Sequence, residues 1–185
     1  MRRVMIALVV VAVGLCAGVG VYGQVRRHNR EAAIEWSRQQ RLAARTPLQK
    51  AAADIDLARR AGDGVHFAVV PERLPPGLVT MEPAVDAYLD GVTDIYSYGD
   101  LKALVKYTDV PGRRPCGEHT CVRDTEVGFV TAEAPSLRHA SVWLTGQASS
   151  AGQESEVRRF WAETRWVPTA EAGWFTKLAY EGDVG

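Results

Sequence analysis

Two cysteines, Cys116 and Cys121, enclose Gly-Glu-His-Thr in a stretch rich in Gly, Pro and Arg. Three chemistries suit that spacing. A polar loop between two strands can bring such positions to the roughly 5–6 Å between Cα atoms that a disulfide needs. The same thiols, kept reduced, would act as small structural side chains. A third reading is a metal knuckle of Cys116, His119 and Cys121 with His139 or Glu118 as a fourth ligand, since thiolate and imidazole suit zinc. The spacing matches no common zinc pattern and a second ligand cluster is missing. The expectation is therefore a disulfide between Cys116 and Cys121, with no metal ligand, no cofactor-binding residue and no cofactor. A stable disulfide belongs to an oxidising compartment.

Other residue types carry weaker signals. Asp86, Asp90 and Asp94 recur every four residues. Calcium loops of the EF-hand kind need ligands on alternate residues, so these aspartates read as a solvated acidic helix face. His139 and Ser141 lie two apart, on one face of any strand that holds both, which is the start of a base–nucleophile pair but lacks an orienting third group. There is no G-x-S-x-G, H-E-x-x-H, P-loop or G-x-G-x-x-G after a strand, so no catalytic residue is assigned and no enzyme is expected. Trp143, Trp161, Trp166, Trp174, Phe160, Phe175 and Tyr180 gather in the last third. Such rings can stack on sugars or meet a partner, but most fall on apolar helix faces, which points to core packing.

The elements that must position these residues follow from periodicity and punctuation. Thr46-Pro47 starts a helix, with Thr as cap and Pro at the first helical position, and Gly62 stops it, giving Pro47–Ala61. His66–Val70 reads as a strand closed by Pro71, Leu74-Pro75-Pro76-Gly77 as a rigid turn, and Pro83–Leu89 as a short helix. Ile95–Tyr98, Lys102–Thr108, Cys121–Thr131 and Leu137–Thr145 read as strands, the last three as an antiparallel meander. Glu154–Arg165 and a final helix capped by Thr169 complete the domain. Strands followed by helices imply an α+β domain: a small antiparallel sheet with C-terminal helices packed on one face.

Ahead of it, Val4–Tyr22 is uncharged and apolar apart from glycines and the terminal tyrosine. As a helix it would span roughly 28 Å, close to a bilayer core. It is long for a cleaved signal peptide, although Arg2 and Arg3 supply a basic start. Gly14 and Gly18 form a G-x-x-x-G that would let two such helices approach as a homodimer. The chain thus divides into an anchor over 1–23, a helical stalk over 24–64 and the α+β domain over 65–185. Orientation signals conflict: Arg26, Arg27, Arg30, Arg38 and Arg41 outnumber Arg2 and Arg3, which favours a cytoplasmic domain, whereas the cysteine pair favours export.

Charge narrows the partners. Gln24–Arg60 carries nine Lys or Arg against four Asp or Glu; Ala61–Gly185 carries eleven against eighteen. An acidic domain is a poor ligand for nucleic acid, which needs net positive surface. The preference for Arg over Lys, 18 to 4, fits a GC-rich bacterial genome. The leading expectation is a single-pass protein of a bacterial cell membrane. Its domain lies outside the cytoplasm and serves as a binding or assembly module with an envelope protein partner. The alternatives are a cytoplasm-facing sensory or regulatory protein, and an exported hydrolase using His139 or aspartates.

Overall fold

A computed structural model describes residues 27–61, 67–84, 92–108, 120–130 and 135–180. The chain divides into two units, Met1–Ala44 and Arg45–Gly185. Within the first, helix α1 covers 27–44 and every one of its residues is exposed. Local bonds hold it: Ser37 Oγ donates to the Ala33 carbonyl at 2.9 Å, and Arg38 lies 3.9 Å from Glu35.

The membrane assignment is corrected here. Among the described residues no helix is long and apolar enough to cross a membrane. Helix α1, in the segment expected to be the stalk, carries Arg27, Arg30, Glu31, Glu35, Arg38 and Arg41, charges that hydrocarbon does not accommodate. The reading as a single-pass, transmembrane protein of the cell membrane is not retained, and the orientation argument goes with it. Val4–Tyr22, with Gly14 and Gly18, lies outside the described residues.

The second unit opens with α2 (Pro47–Ala61). Its start is a capping box: Gln49 N–H donates to Thr46 Oγ1 at 3.2 Å, and Thr46 N–H donates to Gln49 Oε1 at 2.8 Å. Ala52 is fully buried and Ile55 nearly so, both in the main core. This helix, expected in the stalk, therefore belongs to the folded unit. The strands follow as β1 (Val69–Pro71), β2 (Thr80–Pro83), β3 (Asp94–Tyr98), β4 (Leu101–Thr108), β5 (Cys121–Val130), β6 (Pro135–Thr145) and β7 (Trp166–Pro168), with α3 (Ala151–Glu163) before β7 and α4 (Gly173–Tyr180) after it.

Five strands form one antiparallel sheet in the order β2-β3-β4-β6-β5; β1 and β7 form a separate antiparallel ribbon. The expected meander of β4, β5 and β6 is corrected: β6 sits between the other two, and β5 takes the edge. The tight β3–β4 turn uses Gly99 at φ +86 in its first central position, as a two-residue hairpin requires. Gly146 closes the far end of β6 against that turn. A Cβ there would lie 2.0 Å from the Asp100 carbonyl oxygen.

One sheet face carries Tyr96, Tyr98, Ala103, Val105 and Val142 into the main core, where α2, α3 and α4 add Ala52, Val157, Trp161, Phe175 and Ala179. The helices thus pack on one face, as the α+β pattern implied. The other face holds a smaller cluster of Ile95, Leu104 and Trp143 with Val92. A third cluster, Val69, Val127 and Ala140, joins the ribbon to the sheet.

Candidate binding groove

The residues singled out by type are placed apart from one another. Cys121 opens β5 and is disulfide-bonded. It is the single cysteine among the described residues; Cys116, Glu118 and His119 lie outside them. The expected Cys116–Cys121 disulfide is corrected to that narrower statement, because no cysteine pair is bonded among the described residues. Among those residues no group of three His, Cys, Asp or Glu could hold a metal.

Asp86 and Asp90 also lie outside the described residues, but Asp94 overturns the solvated acidic face. Its side chain is fully buried at the start of β3. Both carboxylate oxygens accept from the Phe67 N–H, each at 3.2 Å. Phe67 adopts a left-handed φ of +54, a costly conformation for a bulky residue. It is held there from several sides. The Thr169 hydroxyl donates to its carbonyl, Thr169 N–H donates to the Ala68 carbonyl at 3.1 Å, and its ring meets Tyr96 edge-on at 5.5 Å. Thr169 is therefore a clasp on this turn and not the cap of α4, a second correction.

Three hydroxyls on this side of the sheet are pushed above the ordinary phenol range. For Tyr96 the causes are burial, then the Asp94 charge, then Tyr98. For Tyr107 they are burial, then the Asp94 charge, then Tyr96, then a side-chain hydrogen bond with Asp94. Burial also raises Tyr98, while the Trp161 Nε1–H that donates to its oxygen at 2.9 Å pulls the other way.

His139 and Ser141 share a strand face, but each faces a carboxylate of β5. Ser141 is fully buried and donates to Asp124 Oδ1 at 3.1 Å. His139 Nε2 lies 3.8 Å from Glu126 Oε1. The aromatic set divides between clusters: Trp161 and Phe175 are in the main core, Trp143 is on the opposite sheet face, and Trp174 donates through Nε1 to the Pro71 carbonyl at 2.8 Å.

Among the described residues there is also a surface groove that spacing alone did not reveal. A groove of about 310 Å³ runs between the loop over 72–79 and helix α3. Glu156, Arg159, Phe160 and Glu163 line it from α3, and their spacing of three, four and seven residues sets them on one helix face. Val157 and Trp161 occupy the buried face next to it. Phe160 lies at the boundary, edge-on to Trp161 at 5.4 Å. Ser150 fixes the start of the helix by accepting from Gln153 N–H at 3.1 Å.

Arg73, Leu74 and Pro76 form the other wall. That loop is pinned at both ends. Glu72 N–H donates to the Arg165 carbonyl, and Val79 N–H donates to the Ser97 carbonyl, each at 2.8 Å. Between them Leu78 N–H closes a turn on the Pro75 carbonyl at 3.3 Å. Pro76 and Gly77, at φ +70, occupy the two central positions that a type II turn prefers. Leu74 stands 45% exposed at the rim. Around the groove Arg158 pairs with Glu154 at 3.0 Å and Arg165 with Glu72 at 4.0 Å. The four charged lining residues, Arg73, Glu156, Arg159 and Glu163, make no ion pair or side-chain hydrogen bond among the described residues.

Comparison with known proteins finds no matching family model, no matching curated protein and no matching solved structure.

Proposed function

We propose that the folded unit is a binding or assembly module that holds a partner polypeptide in the groove between the 72–79 loop and α3. One observation carries this reading: two arginines and two glutamates line the groove without ion pairs among the described residues, beside the apolar surfaces of Leu74, Pro76 and Phe160. Apolar contact with a few convergent polar groups is the usual composition of a recognition site. Charges of both signs suit a polypeptide better than a polyanion, which needs net positive surface. The loop's turn and its pinned ends also favour binding, because a wall already in its bound shape loses little entropy when a ligand arrives.

The test is site-specific photo-crosslinking from two exposed leucines of the same unit. Leu74 is at the groove and Leu57, 69% exposed on α2, serves as the comparison. A photoreactive residue at position 74 should join a polypeptide that is identified by mass and then shown to bind the purified chain. The same residue at position 57 should not. Equal yields from both positions, or none from position 74, would remove the groove from the account.

A further inference from the structure

We infer that the groove takes an extended peptide segment with one large apolar side chain and, to one side of it, a basic and an acidic residue two positions apart. This rests on the reading of the groove as the binding site and adds the chemistry of its occupant.

Three observations lead to it. The first is main-chain chemistry. Glu72, Leu78 and Val79 use their N–H groups in backbone hydrogen bonds, whereas Arg73 and Leu74 make none among the described residues. Both residues are exposed and line the groove, so a bound segment can reach their N–H and C=O groups. Pairing of that kind supplies affinity in many peptide complexes, and side-chain pockets on alternate residues supply specificity. The second is the apolar surface. Leu74 is exposed, and Pro76 and Phe160 line the same groove, so one large apolar side chain has three apolar neighbours to cover. The third is charge. Arg159 and Glu163 stand on one face of α3, one turn apart, roughly 6 Å along the axis. Residues two apart in an extended peptide rise by roughly 7 Å, so successive same-face side chains can meet successive charges of the helix. A uniformly acidic or basic segment would satisfy one charge and oppose the next.

The probe is a set of acetylated, amidated dodecapeptides centred on Lys-Xaa-Glu-Xaa-Leu, with fluorescence anisotropy read on the full 185-residue chain. The charged peptide should bind at least tenfold more tightly than one with Lys and Glu replaced by Ser, and than one with Leu replaced by Ser. Leu74→Asp should weaken it tenfold or more. Glu163→Lys should weaken it similarly and favour a peptide in which Lys is replaced by Glu. Both positions are on the surface, and retained near-ultraviolet circular dichroism would show that the variants fold. Binding of the Ser-substituted peptides as tightly as the charged one, with loss on Leu74→Asp, would overturn the stated chemistry and leave the groove standing. Binding of every peptide unchanged by Leu74→Asp and Glu163→Lys, or no binding at millimolar peptide, would overturn the inference outright. In that case crosslinking from position 74 shows whether the groove reading falls with it.

Discussion

Asp94 shows how far a residue's type can mislead when its element is misplaced. A four-residue recurrence of aspartates implies a helix face only if a helix is there, and the structure starts β3 at Asp94. The pleat then sends its carboxylate inward with Tyr96. Its partner, the Phe67 N–H, comes from a distant turn, so no local pattern announces the pair. Asp94→Ala leaves that buried donor without an acceptor and should lower stability by about 1–3 kcal/mol, the usual cost of an unsatisfied buried group. Asp94→Asn keeps an oxygen in place and should cost less. Urea unfolding followed by tryptophan fluorescence measures both, and an alanine variant as stable as the parent would contradict this account of the clasp. Thr169 was not legible as a clasp, because a threonine ahead of a helix looks like a cap.

Elements with strong local punctuation were read well. The Pro47–Ala61 helix follows from Thr46, Pro47 and Gly62, and β4 follows from its alternation. Elements whose definition is tertiary were not. Strands β2 and β7 are four and three residues long, each ends in proline, and each exists through pairing with a remote partner. The order β4-β6-β5 is likewise a choice among sheet edges that alternation does not encode. The groove is hidden for the same reason, since its two walls come from segments far apart in sequence. At this scale Trp161→Ala tests the packing of α3 on the sheet. The ring is fully buried, meets Tyr96 edge-on at 4.9 Å and donates to Tyr98. The loss should be about 3–5 kcal/mol, as for other buried aromatics. A loss on the scale of a surface change, below roughly 0.5 kcal/mol, would mean that α3 does not cover this face. Gly146→Ala tests the β6 end. It places a methyl group against the Asp100 carbonyl at a left-handed φ, so it should destabilise the unit and lower its melting temperature.

The whole unit should respond to alkali in a way its buried tyrosines dictate. Unfolded tyrosine releases its proton near pH 10. The folded state holds Tyr96, Tyr98 and Tyr107 protonated to higher pH. Above about pH 10 the native state therefore binds more protons than the unfolded state, and stability falls as pH rises, by up to about 1.4 kcal/mol per pH unit for each tyrosine. Below that range their contribution is fully present. Unfolding midpoints between pH 8 and 12, read beside phenolate absorbance, should show cooperative loss of structure coinciding with late ionisation of these hydroxyls. Ionisation of every tyrosine near pH 10 in folded protein would contradict it. The central claim, however, concerns where a partner sits. Hydrogen exchange with the purified chain, alone and with the polypeptide crosslinked from position 74 added in excess, maps that directly. The account predicts new protection at Arg73, Leu74 and along α3 from Glu156 to Glu163, with β3 and β4 unchanged. Protection confined to the opposite sheet face, around Leu104 and Trp143, would contradict it.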